Sequence, residues 1–489
     1  MRICFSLMMV RLIGLALPPD GQAALTATGW QEPLRGIPLT ASYDVPPTRH
    51  NGEVWAFAPA DAGQIWVGSD ELFLFNGESR EKIELPFETY AVRALAHDAS
   101  GKLWIGAIGE IGHLERTPTG GWRYVSARDD LRAAGIDNVR VWEALATPQG
   151  MVFVADDQIL RWNGTRFERW PIPSATLLRP TRDRDTLWIV EPNVGVFRME
   201  ADGPRQVLGA AELPNSTVNW AIGSAPVSVA SRGEPLMVGG QEGIYRRRDN
   251  GWEKLEQLSA AIVGKSAWRV TLIDKSTVAI GTVLGGMVIG ATDDRVLAIL
   301  DRASGLPNES ITSLWHDDRS GQLWIGYVGG MSRVDARGST SVFDTRNGLR
   351  DAPVLKTVLH GDRTYVLARR ALSVLSPASN GRAATARQLS QLPTPLSDAL
   401  SSGPNLWLSG LGGGIWRVVG DTVSQETPPS GFVYALAEAQ APPYELFYLE
   451  NTHVRMLVST VDGGWEPGDL HTEVGGPAVS ALRDGSGDL

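Results

Sequence analysis

The stretch NESITSLWHDDRSGQLWIGYVGGMSRVD, residues 308–335, carries the pattern that decides the fold. Its short apolar and aromatic segments are separated by two turn sequences, DRSG at 318–321 and GG at 329–330. Segments of this length between glycine- and aspartate-containing turns are typical of β-hairpins, and they leave no room for a helix of ordinary length. The pattern predicts four strands, at residues 311–316, 323–327, 331–335 and 339–344.

The middle of this stretch, GQLWIGY, recurs in modified form along the whole chain of 489 residues. Each copy is a turn, then an apolar–aromatic–apolar triplet, then a small residue. The ten central positions, about 42 residues apart on average, are Trp66, Trp104, Phe153, Trp188, Met237, Ala279, Trp324, Tyr365, Trp407 and Phe447. Such a period predicts an all-β fold, a β-propeller of four-stranded blades. No helical segments alternate with the strands, which excludes TIM-barrel and doubly wound folds.

Residues 37–44 predict how the ring of blades closes. They resemble a fourth strand, yet they precede every first strand of the chain. We expect them to pair with the third strand near residues 331–335 and so complete a last blade, because closure removes an exposed sheet edge. Seven blades then form a first propeller over residues 30–337, and residues 338–489 begin an incomplete second one. One larger incomplete ring is the alternative.

Both ends of the chain carry expectations about the whole protein. Residues 1–24 follow the charged, apolar and small-residue order of a signal peptide, which predicts a periplasmic or otherwise extracytoplasmic location. The final stretch AVSALRDGSGDL, residues 478–489, repeats the start of a blade and stops just before the expected tryptophan. We therefore expect the chain to be the N-terminal part of a longer protein.

Composition excludes several classes of protein. The net charge is −10 and no basic cluster is present, so binding to nucleic acid is not expected. The single cysteine, Cys4, excludes a disulfide framework and a cysteine-based zinc site. Residues 276–292 contain no charge, but their glycines fall in phase with the repeat. We interpret them as a buried strand pair rather than a membrane helix.

Together with SGLP at 304–307, the stretch 308–335 resembles the two-component-regulator propeller repeat. The usual form of that repeat is a Gly-Leu-Pro start, a D-x-x-G turn, L-W-I-G-T and then G-G-L-x-R-x-D. The resemblance covers residues 33–489 and is strong around Trp66, Trp104, Trp324 and Trp407. The copies are degenerate around Phe153, Met237, Ala279 and Tyr365.

The resemblance implies an extracytoplasmic sensor that passes a signal to a C-terminal output domain. In this family the propellers are followed by a triple-tyrosine β-sandwich, a membrane helix and a histidine kinase, a diguanylate cyclase or a DNA-binding regulator. None of these later parts is in this sequence, so membrane anchoring is expected only outside it. The partners implied are an oligosaccharide or another small polar ligand, and a second copy of the chain in a homodimer.

The repeated residues are expected to have structural roles. The strand-centre tryptophans should fill the space between blades. The aspartates three residues before a glycine should cap turns, namely Asp98, Asp318 and Asp484. The arginines on third strands should pair across blades or face solvent, namely Arg198, Arg246, Arg333 and Arg417.

Catalytic motifs are scarce, so we expect no enzyme activity, no cofactor and no metal. The seven histidines show no metal-binding spacing, and no nucleophile elbow, P-loop or dinucleotide motif is present. The paired acids at 156–157, 293–294 and 317–318 fall in turns, where adjacent side chains diverge. A quinoprotein dehydrogenase, a glycan hydrolase or lyase, and a protein-interaction scaffold stay open as alternatives.

Ligands of propellers usually bind where the loops between fourth and first strands meet those between second and third strands. Non-repeating polar residues in these loops are the candidate ligand-binding residues, because amides, acids and arginine suit a hydroxyl-rich ligand. They are Asn51, Asp70, Glu110, Asn138, Arg140, Asp157, Glu191, Gln241, Asn308 and Tyr327. The alternative is that they are solvated loop residues without a ligand.

Overall fold

The computed structural model describes residues 34–47, 51–87, 91–172, 177–224, 235–249, 251–338, 340–350, 353–428, 431–438 and 445–473. The predicted signal peptide, the final stretch 478–489 and Asp484 lie outside these residues. The described chain is nearly all-β, as predicted, with ten four-stranded antiparallel sheets that we number along the chain. Two short helices, Arg128–Ala133 and Glu256–Ile262, lie in loops, as do 3-10 turns at Asp61–Gly63, Ala210–Glu212 and Thr345–Asn347.

The strands of each sheet are given in pairing order from the first strand to the fourth. Sheet 1 comprises Ala56–Pro59, Ile65–Gly68, Leu72–Phe75 and Arg80–Ile83, and sheet 2 comprises Val92–His97, Leu103–Ala107, Ile111–Arg116 and Trp122–Ser126. Sheet 3 comprises Val141–Thr147, Gly150–Ala155, Gln158–Trp162 and Phe167–Pro171, and sheet 4 comprises Arg179–Asp183, Thr186–Glu191, Gly195–Glu200 and Gly203–Gly209. Sheet 5 comprises Val218–Ser224, Pro235–Gly240, Gly243–Arg248 and Gly251–Lys254. Sheet 6 comprises Ala267–Leu272, Thr277–Thr282, Met287–Ala291 and Val296–Leu300. Sheet 7 comprises Ile311–Asp317, Gln322–Tyr327, Gly330–Asp335 and Thr40–Asp44.

Sheets 8 to 10 follow in the same way. Sheet 8 comprises Val354–His360, Arg363–Ala368, Ala371–Ser376 and Thr385–Gln391. Sheet 9 comprises Leu396–Ser402, Asn405–Gly410, Ile415–Val419 and Thr422–Thr427. Sheet 10 comprises Val433–Glu438, Glu445–Glu450, His453–Ser459 and Trp465–Glu473. A further two-stranded pair joins Ile37–Pro38 to Ser341–Val342. Every sheet except sheet 7 is therefore a meander of consecutive strands.

Sheet 7 is completed by the N-terminal strand. Thr40–Asp44 pairs antiparallel with Gly330–Asp335, and Ser42 lies opposite Ser332 with their hydroxyl oxygens 2.8 Å apart. The predicted pairing of residues 37–44 with the third strand is confirmed for this segment. The predicted fourth strand at 339–344 is wrong, because the N-terminal strand already occupies that edge, and Ser341–Val342 pairs with Ile37–Pro38 instead.

The first strands of sheets 1 to 7 surround a common axis. They contact one another in chain order, and the first strand of sheet 7 contacts that of sheet 1. Thr312 and Ser313 of sheet 7 both donate hydrogen bonds from their hydroxyl groups to the carbonyl of Val54, just before sheet 1. The closing contact is therefore hydrogen-bonded as well as packed.

The strand-centre tryptophans lie between neighbouring sheets, as predicted. Trp66, Trp104, Trp188, Trp324 and Trp407 are all between 0 and 5% exposed. The Trp66 ring meets Trp122 of sheet 2 edge-on, with centroids 5.0 Å apart, and Trp407 meets Trp465 of sheet 10 in the same way at 4.6 Å. Edge-to-face aromatic pairs of this kind add to the energy of burying the rings.

Turn capping follows the prediction in one place and departs from it in another. Asp98 accepts hydrogen bonds from the backbone of Ser100 and Lys102 and from the indole of Trp104. At the equivalent turn the capping residue is Asp317 rather than Asp318, with Asp317 accepting from Arg319 N and Ser320 Oγ. The prediction for Asp318 is wrong because the strand extends one residue further, to Asp317, and this carboxylate faces the turn.

Two other interpretations are confirmed in the described residues. The uncharged segment 276–292 forms a buried hairpin in which Thr277–Thr282 pairs with Met287–Ala291. The prediction for the third-strand arginines is confirmed for Arg246 and Arg417, which donate to the carbonyls of Thr292 and Gly463 in the next sheets, whereas Arg198 pairs with Glu200 of its own strand. Among the helices of the described chain, none has both the length and the apolar character that crossing a membrane requires.

Candidate functional site

The structure places half of the predicted ligand residues in internal hydrogen bonds of the loops. Asp70 accepts from Gly52 N, Glu110 from Ser126 and Arg128, and Glu191 from Asn193 N. Tyr327 is buried, with its hydroxyl 3.0 Å from the carbonyl oxygen of Met331, and Asn308 donates to the Val328 carbonyl. These five side chains hold loops together.

The other five predicted residues are exposed. Arg140 is engaged in an ion pair with Asp156. Asn51, Asn138, Asp157 and Gln241 face solvent. Because nothing here brings these five into one concave site, a role in ligand binding stays a prediction for them.

A cavity of about 370 Å³ lies along the axis of sheets 1 to 7. Its walls come from the first strands of six of these sheets, with sheet 5 contributing no lining residue. The lining runs from Trp55, Arg93, Trp142 and Trp268 to Arg184, His316 and Asp318 near the turns that follow the first strands. We call this cavity the axial channel. Its volume lies in the range of small-molecule sites.

β-Bulges aim side chains into the axial channel. In sheets 2, 3, 5, 6 and 7 the register between the first and second strands shifts across the second position of the first strand. A bulge leaves one residue unpaired and re-aims its side chain. The residues at this position are Arg93, Trp142, Asn219, Trp268 and Thr312, of which Arg93, Trp142 and Trp268 line the channel.

Three indoles and two guanidinium groups pack together in the channel. Trp55 lies edge-on to both Trp142 and Trp268, with ring centroids 6.2 Å apart in each case. The guanidinium carbon of Arg93 lies 4.0 Å from the centre of the Trp142 ring and 4.8 Å from that of Trp55. Arg269 stacks on Trp268 at 4.2 Å. Cation–π contacts in a desolvated setting hold these groups in place.

Hydrogen bonds orient most of these side chains. Trp142 Nε1 donates to Asp156 at 2.6 Å, Trp268 Nε1 to the Ile311 carbonyl at 2.7 Å, and Arg269 Nε to the Thr312 carbonyl at 2.8 Å. In contrast, Nε and Nη1 of Arg93 and Nε1 of Trp55 are buried without a hydrogen-bond partner among the described residues. A rigid cluster with unused donors suits ligand binding.

The channel places charged groups in a desolvated environment. Burial raises the pKa of the Glu143 carboxyl, while Arg182 and Arg269 oppose that rise. Burial lowers the pKa of Arg269 to about 10, and Glu143 opposes that change. Both directions show that the charged forms are poorly solvated here, which strengthens any electrostatic contact with a ligand.

The end of the channel near the turns is more acidic. Asp318 lies 3.1 Å from Nδ1 of His316, and burial raises the pKa of Asp183, reinforced by the charges of Asp185 and Asp318. Within the described residues, no cluster of histidine, cysteine and carboxylate side chains has the arrangement of a metal site.

We expect His316 to make stability depend on pH. Burial lowers its pKa below 6.5, with Asp318 and Asp317 opposing and Arg184 reinforcing the shift. When the pH falls through about 6.5, the unfolded chain takes up a proton that the folded chain does not, so stability falls on acidification. His316→Gln should lose less stability than the wild type between about pH 7 and 5, by under about 1 kcal/mol.

Urea unfolding at both pH values measures this difference, with His97→Gln as the control for losing a histidine elsewhere. A steeper loss in His316→Gln than in the wild type would contradict the assignment. Asp183 affects the pH dependence of stability in the opposite direction and at a more acidic pH. Its raised pKa means that the folded chain takes up a proton before the unfolded chain does, so this group stabilises the fold on acidification.

The fold and the axial channel together define the class of this protein, a β-propeller with a cavity of ligand size on its axis. Sequence reasoning missed the channel residues Trp55, Arg93, Trp142, Trp268 and Arg269. For Arg93, Trp142 and Trp268 the available signal was the second position of a first strand, whose residue type varies from blade to blade. Trp55 lies directly before the first strand of sheet 1 and Arg269 is the third residue of its strand, so neither shares that signal.

No protein-family model and no curated protein matches the sequence. Among similar solved structures is the extracellular domain of BT4673 from B. thetaiotaomicron, described as a one-component system for one structure and as a hybrid two-component system for another. The first of these structures has 14% identity to this chain and a TM-score of 0.45, and the similarity covers 91% of this chain. This chain spans 64% of the length of that domain.

Two further structures are similar at 12% identity. Virginiamycin B lyase from Staphylococcus aureus has a TM-score of 0.41, with 60% of this chain and 98% of the lyase covered. PorZ, a surface component of the type-IX secretion system of Porphyromonas gingivalis, has a TM-score of 0.36, with 85% of this chain and 59% of PorZ covered. Identities this low leave the residues of the channel as the basis for assigning a function.

Proposed function

We propose that this chain is the extracytoplasmic ligand-sensing part of a signalling protein, and that its ligand is a carbohydrate or a similar polar molecule bound in the axial channel. The observation that carries the proposal is the cavity of about 370 Å³ lined by three indoles and two buried guanidinium groups. Indole faces pack against the apolar C–H face of a sugar ring, while the guanidinium groups donate to its oxygens. The resemblance to sensor repeats supports the same assignment.

We also propose, from the strand pairing, how the chain divides into two propellers. Sheets 1 to 7 form the first propeller, residues 30–337, closed by Thr40–Asp44, and the chain from residue 338 begins a second propeller. The junction is hydrogen-bonded, since Ile299 N donates to the Gly381 carbonyl and Ala384 N to that of Arg35. Arg382 also pairs with Asp301 after the last strand of sheet 6. These contacts are a route from the first propeller to the rest of the protein.

Tryptophan fluorescence tests the proposed site. Mixtures of neutral and acidic oligosaccharides should change the emission of the full chain, and Trp142→Leu should weaken the response about tenfold in Kd, because one stacking surface is lost. Trp252→Leu is the matched control, since Trp252 lies half-buried on the outer strand of sheet 5. A response unaffected by Trp142→Leu would place the ligand outside the channel.

A propeller enzyme is the second candidate, favoured by His316, whose imidazole lies beside Asp318 in the same channel and whose pKa is lowered by burial. A neutral histidine oriented by a carboxylate can act as a general base. Mass spectrometry of the oligosaccharides after incubation separates the two functions. A sensor returns its ligand unchanged, whereas cleavage that is lost in His316→Gln would establish the enzyme.

A further inference from the structure

The inner part of the axial channel holds more positive than negative charge. Arg93 and Arg179 are both close enough to Arg269 to lower its pKa, and Glu143 is the one carboxylate that acts on it in the opposite direction. Arg93 and Arg269 line this poorly solvated space together with Glu143, and Arg179 lines a small adjoining pocket. Like charges at short range in a medium of low dielectric constant repel strongly unless an anion joins them.

Arg93 is the group in this cluster that most needs an anion. Burial lowers its pKa, and the charge of Arg140 lowers it further. Its Nε and Nη1 are buried and have no hydrogen-bond partner in the part of the chain that the structure describes. The carboxylates of Asp156 and Glu53 act on it only through their charge, and Asp156 is already held by Arg140 and by Trp142 Nε1.

The setting of Arg93 favours a planar anion. Contacts with the rings of Trp142 and Trp55, whose planes are 75° apart, hold the guanidinium group of Arg93 in place. A guanidinium has two pairs of N–H donors that match the two oxygens of a carboxylate, Nε with Nη2 and Nη1 with Nη2, and the buried Nε and Nη1 of Arg93 belong to different pairs. Buried donors without a partner destabilise the folded chain, and an anionic ligand that accepts from them reduces that penalty.

We propose that the ligand of the channel is an acidic saccharide, a sugar ring bearing one carboxylate, and that Arg93 binds this carboxylate. The inference rests on the proposed function and deepens it. The ring of the sugar packs against the indole cluster formed by Trp55, Trp142 and Trp268. Glu143 also lines the channel, where its carboxyl group accepts hydrogen bonds from hydroxyl groups and disfavours ligands with a second negative charge.

Fluorescence titration of the full chain with D-glucuronate and with D-glucose tests the inference. We expect glucuronate to bind at least about tenfold more tightly than glucose, because only glucuronate supplies the charge-assisted bond. Arg93→Met should remove this preference for glucuronate. Arg93→Lys should retain only part of it, because the lysine ammonium group lacks the planar pair of N–H donors of a guanidinium group. Arg116→Met is the matched control, since Arg116 also stacks on an indole, that of Trp122, on the outside of sheet 2. Thermal unfolding of each variant establishes that it is folded.

Each other outcome contradicts the inference in a defined way. Equal binding of glucose and glucuronate would overturn carboxylate recognition and leave the proposed carbohydrate function standing. Tighter binding of benzoate than of glucuronate would support an anion at Arg93 but overturn the saccharide. The absence of any fluorescence response to millimolar glucuronate would overturn the inference. The proposed function is tested separately, by the titration with oligosaccharide mixtures. Loss of glucuronate binding in Arg116→Met would show that the effect does not belong to the channel.

Discussion

Replacing Thr40–Asp44 by a glycine–serine segment of the same length is expected to abolish the cooperative unfolding transition of sheets 1 to 7, or to lower their stability by more than about 4 kcal/mol. This strand is the fourth strand of sheet 7, and its Ser42 lies 290 residues before its partner Ser332 in the sequence. Its loss exposes the edge of Gly330–Asp335 and opens the ring. Urea unfolding followed by tryptophan fluorescence measures the effect.

The closing strand contributes packing as well as hydrogen bonds. The Tyr43 ring lies 4.8 Å from that of Phe75 in sheet 1 and 6.1 Å from that of Trp324 in sheet 7, so it bridges the first and last sheets. Val45, directly after the strand, is buried in the same cluster with Val54 and Phe57. Replacing the strand therefore removes a hydrophobic contact across the junction.

The same replacement at Thr422–Thr427 is the matched control. That segment is also a fourth strand, but it follows its partner Ile415–Val419 directly in the chain, and its loss opens no long loop. We expect a smaller destabilisation, confined to sheets 8 to 10. Equal effects of the two replacements would show that ring closure has no special importance for stability. Recovery of the transition on adding a peptide that contains residues 34–47 would support closure directly.

Trp188→Ala is expected to lower the free energy of unfolding by about 3–5 kcal/mol. The Trp188 side chain is fully buried at the strand centre of sheet 4, in a cluster with Val207, Val218 and Val238 that joins sheets 4 and 5. Removing the indole leaves a cavity between two sheets that rigid strands cannot close.

Trp188→Phe separates packing from hydrogen bonding. The indole nitrogen of Trp188 has no hydrogen-bond partner among the described residues, so phenylalanine loses only part of the ring volume and should cost less than alanine. Trp252→Ala is the comparison, because Trp252 is half-buried at the edge of the same cluster and donates from Nε1 to the Glu212 carbonyl, so a smaller cost is expected. A cost for Trp188→Ala no larger than that of Trp252→Ala, measured by urea unfolding, would contradict the packing role.

The strand pattern and much of the fold could be predicted from sequence because they depend on local chemistry. Turn residues, alternating side chains and a large ring at the strand centre recur in each blade, since each sheet is a hairpin meander whose partners are adjacent in the chain. The uncharged segment 276–292 was recognised as a hairpin for the same reason. Residues 37–44 stood out because a fourth strand without preceding strands has no local partner.

The candidate site could not be predicted in this way, because its residues share no local pattern. Trp55, Trp142 and Trp268 lie in three different blades and meet only because the first strands converge on one axis. The bulges that aim Arg93, Trp142 and Trp268 inward arise from a register shift between strands, which is a property of pairing rather than of either strand alone.

The sequence by itself determined the blades, their order and the strand that closes sheet 7, because hydrogen-bonded meanders follow from turn chemistry and side-chain alternation. The tertiary structure decided which polar residues are available to a ligand. The carboxylate of Glu110 and the hydroxyl of Tyr327 take part in internal hydrogen bonds, whereas two buried donors of Arg93 have no partner among the described residues. The physical reason is that burial and hydrogen-bond satisfaction depend on neighbours that only the packing of the sheets brings into contact.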